Sequence, residues 1–196
     1  MQHILSRAPL TARLCVVLLG SFLVSAFVPS YASAFALTPC RSGLWAALPP
    51  LLLHSLIFGS LFHWLITCFS LFCSALVCER ELGSVAIVIL CLGTTVLGAA
   101  AFLLTTSDCV PFVGPAAFAW GFAGAALVAA IFRWKLSHWL ERAYVIVVLV
   151  SFATLVQAPV AVVALQLTGF LFGATLAVFR FRQRRAKVSS GAGAAV

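Results

Sequence analysis

The side chains that could do chemistry are few in this chain of 196 residues, and most lie beside or inside long apolar runs. His54, Ser55, Ser60 and His63 lie close together in the sequence, and a nucleophilic serine needs a neighbouring base to accept its proton. Nothing in their spacing places a serine beside a histidine together with an oxyanion donor. The four residues therefore do not predict serine–histidine catalysis.

The seven cysteines do not form a metal or redox motif, because their number is odd and no two are spaced as CxxC. We expect no metal and no cofactor. A lone cysteine in an apolar helix is usually a small packing residue. Cys40 and Cys109 lie near the ends of predicted spans on the same side and could pair, which the sequence leaves open.

Four polar residues fall at membrane depth, namely His63, Thr67, Gln157 and Gln166. Polar groups are expensive in lipid, so we expect all four to face the interior of a helix bundle. They are either a structural hydrogen-bond cluster or a polar gap that holds the transmembrane helix of a client protein. Gln166 fits either interpretation, because its amide both donates and accepts hydrogen bonds and could bind an unwound backbone.

The composition sets the class of protein that must position these residues. It is 64% apolar and only 8% charged, and the mean hydropathy is +1.18. Soluble domains are about a quarter charged, so a soluble or disordered protein is excluded. A net charge of +8 does not predict nucleic-acid binding, because the basic residues are few and scattered. We predict an all-α polytopic domain over 10–180, after a segment 1–9 and before a basic, disordered tail 181–196.

Apolar runs of about 20 residues predict a bundle of six transmembrane helices. The loop over 39–61 is apolar but interrupted by Pro49 and Pro50, so we expect it to lie along the interface or against the bundle. The tight turn at Gln157–Pro159 separates the last two spans. The predicted spans are 10–28, 62–77, 85–104, 114–132, 143–156 and 160–179.

Six spans would place eleven of the 12 lysines and arginines on the side of the termini, and only Arg41 on the other. The positive-inside rule then predicts that both termini are cytosolic. Five basic residues follow the last span and would anchor it, or alternatively bind anionic lipid headgroups. These are Arg180, Arg182, Arg184, Arg185 and Lys187.

One informative stretch runs from His63 to Ser84, a second from Gly114 to Gly121 and a third from Gln166 to Gly173. In this order along the chain, they resemble the landmarks of the rhomboid superfamily. The first begins at His63 and is similar to the HxxxN start of span two, with Thr67 where asparagine is expected. The turn that follows it fits the LExxxGS-like turn of the superfamily through Glu79, Gly83 and Ser84.

The other two stretches carry the rhomboid catalytic positions. Gly114–Gly121 is similar to GxSGxxxG, with Ala116 in place of the nucleophilic serine, and Gln166–Gly173 is similar to HxxGxxxG, with Gln166 in place of the basic histidine. Alanine has no nucleophile and an amide is no useful base, so the resemblance implies a pseudoprotease and no enzyme. Small residues of both stretches are expected to pack helices closely: Gly114, Gly121, Gly169 and Gly173.

One pseudoprotease branch looks closest. Arg7–Thr11 resembles the Ala-Pro-x-Thr signature, and Glu79–Ser84 the ER-x-x-GS turn, of the ubiquitin-associated-domain rhomboid-like proteins, which are related to derlins. The resemblance implies a scaffold in the endoplasmic-reticulum membrane whose partners are membrane-protein clients and ubiquitin-ligase subunits in protein degradation. The ubiquitin-binding domain of that branch is absent from the 17 or so residues after the last span.

Two alternatives remain from the sequence. Arg7 and Arg13 precede the first span, and no acidic residue precedes Glu79. Starts of this kind suit mitochondrial import, so an inactive rhomboid subunit of an inner-membrane protein translocase is the second hypothesis. A residual enzyme of another class or a small-solute transporter is the third, although the chain shows no inverted repeat.

Overall fold

The computed structural model of the chain describes residues 9–40, 44–106, 109–133, 146, 148 and 158–192. Within these residues the regular secondary structure is helical, apart from one isolated antiparallel bridge between Leu37 and Phe112. The all-α class is thereby confirmed. The helices are α1 (Pro9–Phe27), α2 (Pro29–Phe35), α3 (Leu44–Leu53), α4 (Leu61–Leu82), α5 (Ser84–Thr105), α6 (Ala116–Phe132) and α7 (Val160–Ala192), with a 3-10 turn at His54–Leu56.

Four of these helices (α1, α4, α5 and α7) are long and apolar enough to cross a membrane, and α6 is a shorter apolar helix of 17 residues. At 1.5 Å per residue α6 spans about 26 Å, slightly less than the roughly 30 Å of a hydrocarbon core. Its neighbours cover it on most sides, so it does not need to match the bilayer alone. Apolar helices lie where spans one to four and six were predicted, while span five and Gln157 lie outside the described residues.

The helix ends follow from local sequence. Pro29 disfavours the helical conformation at Val28, which ends α1 there, and the proline itself opens α2. Ser60 caps α4 by accepting a hydrogen bond from the His63 N–H at 3.2 Å. Gly83, with φ at +87°, separates α4 from α5 in a conformation that side chains rarely adopt.

Helices α6 and α7 run parallel and touch along their backbones. A Cβ added at Gly169 would overlap the Ala117 carbonyl, and one added at Gly173 would overlap the Gly121 carbonyl. The repeated four-residue step keeps the two helices in register along this contact. The small residues thus pack helices within the chain, as predicted for Gly121, Gly169 and Gly173.

The parallel arrangement continues to the far ends of the two helices. The rings of Phe132 and Phe181 stack there with centroids 5.0 Å apart. Arg133 and Val160 consequently lie at opposite ends of the bundle. The predicted fifth span falls between these two residues in the sequence.

The loop predicted over 39–61 lies against the bundle, which is one of the two arrangements expected from the sequence. Helix α3 contains Pro49 and Pro50 and packs on α5, and the 3-10 turn after it contacts α1 and α6. His54 and Ser55 of that turn are buried. The loop therefore contributes polar groups to the interior of the bundle.

The prediction of a disordered tail is wrong up to Ala192, because α7 continues to that residue. Its length of 33 residues corresponds to about 50 Å, more than a bilayer core requires. Arginine, glutamine, alanine and lysine are good helix formers, so the basic segment extends the helix past Phe181 and the end of α6.

Candidate functional site

The two positions that would hold a rhomboid dyad lie at the same end of neighbouring helices. Ala116 is the first residue of α6, and Gln166 is in the second turn of α7. Since Gly169 faces Ala117, Gln166 lies one turn before that contact, level with the start of α6. The fold therefore brings positions 116 and 166 to one depth of the bundle.

The surroundings of these two positions differ in polarity. Ala116 packs on an apolar cluster that includes Phe102, Ala117 and Leu165. The Gln166 side-chain oxygen Oε1 is buried, and it has no hydrogen-bond partner among the described residues. An unpaired buried acceptor costs free energy, so this position is set to receive a donor.

His63 lies beside this region. It was predicted to face the interior of the bundle, and that prediction is wrong. Its side chain is exposed, its ring meets the edge of Phe58 at 6.2 Å between centroids, and its Cε1 lies 3.5 Å from the Cβ position of Gly114. Because it is in the first turn of α4, its side chain reaches the surface. Thr67, one turn further along, is buried as predicted.

Gly114 does not pack one helix against another, in contrast to the prediction. It lies in the segment before α6 with φ at +128°, a region that favours glycine. Its N–H donates to the His54 carbonyl at 3.0 Å. The residue thus fixes the 3-10 turn against the start of α6 and leaves room for His63.

His54 is a buried polar residue that the sequence did not single out for this site. Its Nδ1 lies 3.0 Å from the Pro50 carbonyl; a carbonyl only accepts, so Nδ1 carries the proton and Nε2 is an acceptor. Nε2 is buried with no partner in the described part of the chain. Burial lowers the pKa of His54, although hydrogen bonds to the Pro50 and Leu51 carbonyls oppose that shift.

Cys40 and Cys109, whose pairing the sequence left open, form a disulfide with Cα atoms 5.3 Å apart. Close by, Leu37 and Phe112 exchange two backbone hydrogen bonds of 2.9 Å. The disulfide and the bridge together fasten the segment after α2 to the segment before α6. They hold the approach to Gly114 and Ala116 at the end of the bundle opposite to Glu79.

At that other end, Glu79 joins three helices. Its carboxylate accepts hydrogen bonds from the Leu10 N–H at 3.1 Å, the Thr11 N–H at 2.8 Å and the Thr11 hydroxyl at 2.7 Å. It also accepts one from the Ser84 hydroxyl at 3.1 Å. The first N–H groups of a helix lack partners within that helix and favour a negative charge, so Glu79 caps α1 from a distance.

The neighbouring Glu81 is also buried and forms ion pairs. Arg80 Nε lies 2.8 Å from its Oε1, and Arg133 Nη1 lies 2.9 Å from its Oε2. Arg133 follows the last residue of α6. The pair therefore ties the end of α6 to the turn between α4 and α5.

The predicted headgroup-binding arginines lie on the extension of α7. Arg182, Arg184 and Arg185 are exposed, and the Arg185 guanidinium lies 5.2 Å from the centre of the Phe132 ring, within cation–π range. Arg180 is half-buried, and the side chain of Lys187 lies outside the described part. The arrangement gives one basic helical segment beyond the end of α6.

These features define a polytopic α-helical membrane protein with a small-residue contact between its fourth and last predicted spans. It has two buried acceptors, on His54 and Gln166, without a partner among the residues that the structure describes. Residues 41–183 match the Rhomboid domain family, which covers well over half of the chain. The chain belongs to the rhomboid family. No curated protein matches it.

The structure brings together part of the predicted site. Ala116 and Gln166 share one depth, and His63 joins them through Gly114, whereas Glu79, Gly83 and Ser84 form a separate turn at the other end. His54 was considered with Ser55, Ser60 and His63 but was not assigned to this site, because helical periodicity does not locate a histidine in a proline-broken loop. Its position four residues after Pro50, whose carbonyl it binds, was the available signal.

Proposed function

We propose that this rhomboid-family protein is catalytically inactive and binds transmembrane segments of client membrane proteins. The observation that carries the proposal is the buried Oε1 of Gln166 at the level of Ala116, which has no hydrogen-bond partner in the part of the chain that the structure describes. A backbone N–H of a client helix that unwinds locally would satisfy this acceptor. Membrane helices with free backbone groups are otherwise strongly disfavoured in lipid.

The lack of activity is argued from chemistry. If Ala116 and Gln166 occupy the dyad positions, as the resemblance implies, the site has no hydroxyl to attack a carbonyl and no base to activate it. Loss of one dyad member already removes most of the rate, and loss of the second adds little. Ala116 also lies against apolar side chains, which offer no substitute nucleophile.

Site-specific photocrosslinking tests client binding. A photoreactive amino acid at position 166 should capture client transmembrane helices in native membranes, whereas the same residue at Leu171, which is 61% exposed on the same helix, should capture mainly lipid. Equal client capture at both positions would contradict the proposal. The formation of the Cys40–Cys109 disulfide, read on a non-reducing gel, verifies that each variant is folded.

Serine-reactive labelling tests inactivity. We expect the unmodified chain to remain unlabelled by a fluorophosphonate probe, and the double variant Ala116→Ser with Gln166→His to be labelled if the old geometry persists. The single variant Ala116→Ser is the matched control, because it has the nucleophile without the base. Labelling of the unmodified chain would overturn the proposal that it is not an enzyme.

We further propose the endoplasmic-reticulum membrane as the location, with cytosolic termini and with ubiquitin-ligase subunits as partners in protein degradation. The Cys40–Cys109 disulfide supports this location, because such bonds form and persist in the endoplasmic-reticulum lumen and are rare in the cytosol. Arg133 and the basic end of α7 lie away from the disulfide, as the positive-inside rule requires. Tagged chains should therefore co-purify with ligase subunits after gentle detergent extraction.

The acid-free, arginine-bearing start of the chain favours the second candidate, an inactive subunit of a mitochondrial inner-membrane translocase. Fluorescent tagging separates the two compartments directly. Co-purification of translocase subunits with a mitochondrial signal would select the second candidate and reject the first.

A further inference from the structure

A cavity of about 160 Å³ lies between α1 and α5, apart from the Gln166 position. Leu14 of α1 and Phe118 of α6 form two of its walls. The remaining walls come from Leu52 and Leu56 on one side and from Cys91 and Leu92 of α5 on the other. Apart from the Ser55 and Thr95 hydroxyls, the side chains that line it are apolar or thiol.

The cavity reaches the outer surface of the bundle at the middle of the bilayer. Leu52 and Leu92 line it and are 44% and 58% exposed. Leu92 and Thr95 are close to the midpoint of α5, a span of 22 residues. The core of a bilayer is hydrocarbon at that depth, so lipid chains are what meets the opening.

The bundle holds α1 on the side away from α5. Trp64 Nε1 donates to the Leu18 carbonyl at 3.2 Å, the Trp64 and Phe22 rings stack at 5.0 Å, and the Ser21 hydroxyl donates to the Leu56 carbonyl. With the Glu79 contacts, these bonds fix α1 to α4 and to the 3-10 turn. Toward α5 the contacts of α1 are few, and no residue of the described part of the chain fills the gap beside them.

The chemistry of the walls selects an apolar occupant. The Thr95 hydroxyl donates to the Ser55 hydroxyl, with 3.5 Å between the two oxygens. A water needs two to four polar partners to remain in such a cavity. Because the two hydroxyls already bond to each other, the walls offer a water little. An unfilled void also forfeits the dispersion contacts of the atoms that line it. Apolar cavities of about 150 Å³ accept a molecule the size of benzene.

We infer that one acyl chain of a membrane phospholipid inserts its terminal methylenes into this cavity and fills the gap between α1 and α5. The headgroup stays at the membrane surface, since the cavity has room for only a short piece of chain. The site does not depend on client binding, and its failure would leave the proposed function untouched.

The unmodified chain provides the first test. It is placed in nanodiscs of phosphatidylcholine that carries a diazirine at the end of one acyl chain, and the adducts are mapped after photolysis. We expect more adducts at Leu14 and Cys91, which are only half-exposed, than at Leu171, which is 61% exposed near the middle of its own span. If the number of adducts instead follows the exposure of the side chains, with more at Leu171 than at Leu14 or Cys91, the inference is overturned.

Two variants of one position provide the second test. Cys91→Phe fills the cavity and should lose the adducts at Leu14, whereas Cys91→Ala leaves the space and should retain them. The Cys40–Cys109 disulfide reports folding of both, and Leu14→Phe fills the cavity from the opposite wall if Cys91→Phe does not fold. Retention of Leu56 and Leu92 adducts in a folded, filled variant, or their displacement by unlabelled sterol, would overturn the assignment to a phospholipid chain.

Discussion

Glu79 holds Thr11 by two hydrogen bonds, because its Oε2 accepts both the Thr11 N–H at 2.8 Å and the Thr11 hydroxyl at 2.7 Å. The two residues are separated by 68 positions in the sequence, and both are buried. The Pro-x-Thr stretch before the first span and the acidic turn after the second are therefore two halves of one contact. It closes α1 against the turn between α4 and α5.

Removal of the Thr11 hydroxyl tests the energy of this contact. Thr11→Val keeps the shape and leaves one lone pair of a buried carboxylate without its donor, so we expect the free energy of unfolding to fall by about 1.5 to 3 kcal/mol. Thr11→Ser keeps the hydroxyl and is the control. The measurement is unfolding in mixed micelles, and a Thr11→Val variant as stable as the unmodified chain would show that the hydroxyl contributes nothing.

The backbone contact between α6 and α7 gives a second prediction. Gly173→Ala places a methyl group against the Gly121 carbonyl and should destabilise the protein by about 1 to 3 kcal/mol through overpacking. Gly20→Ala is the matched control, because nothing lies within 4 Å of its Cβ position and alanine is the better helix former. A Gly173→Ala variant as stable as the control would mean that the two helices are further apart.

The spans and their order could be predicted from the sequence because lipid imposes a simple rule of length and polarity. The continuation of α7 to Ala192 could not, since the change from apolar to basic residues marks the edge of the membrane and not the end of a helix. Arg182, Arg184 and Lys187 are compatible with either structure. The physical signal for the longer helix was the helical propensity of that segment, which a division of the chain by composition alone does not take into account.

His54 predicts a pH dependence of stability. Burial lowers the pKa of His54 from its ordinary 6.5 in the folded protein, so the unfolded chain binds the proton first as the pH falls. Its contribution is complete above pH 6.5 and is lost progressively below it, toward the lower folded pKa. We therefore expect the thermal midpoint of unfolding to decrease as the pH is lowered from 7.5 to 5.5.

The control for this titration is His54→Asn. The asparagine amide can still donate to the Pro50 carbonyl, as Nδ1 does, but it does not titrate. The variant should show a smaller change in thermal midpoint over the same pH interval. If its pH dependence equals that of the unmodified chain, another group is responsible.

The candidate site was only partly accessible from the sequence. The shared depth of residues 116 and 166 can be predicted from the sequence, because each lies near the start of a span that runs in the same direction. The exposure of His63 depends on how the 3-10 turn and Phe58 cover the start of α4, which is a tertiary property. The acceptors on His54 and Gln166, which lack partners within the described ranges, likewise follow from burial, which no local pattern specifies.

Glu81 and Arg133 give a prediction about the end of α6. Arg133→Gln removes one partner of a buried carboxylate, but Arg80 remains at 2.8 Å and the Arg133 side chain is 49% exposed. Because half-exposed pairs are screened by water and salt, we expect a loss of about 1 kcal/mol or less in the free energy of unfolding.

The double variant Arg133→Gln with Arg80→Gln is the informative comparison. It leaves Glu81 buried without either arginine, which costs more than the sum of two exposed pairs. The stabilities of the two single variants and the double variant, compared in one cycle, give the coupling. Strict additivity would contradict the view that both arginines act on one buried charge.

The basic extension of α7 predicts a preference for anionic lipid. Arg182 and Arg184 are exposed beyond Phe181, where a charged membrane surface would attract each by about 1 kcal/mol. Arg182→Gln together with Arg184→Gln should therefore reduce the excess of phosphatidylinositol retained over phosphatidylcholine, as measured by native mass spectrometry. Gln183→Ala, an exposed and uncharged neighbour, is the control and should change nothing.

The preference for anionic lipid should also weaken in nanodiscs washed at about 1 M salt, where the screening length is about 3 Å. A preference that survives both the substitutions and the salt would exclude these arginines as its source.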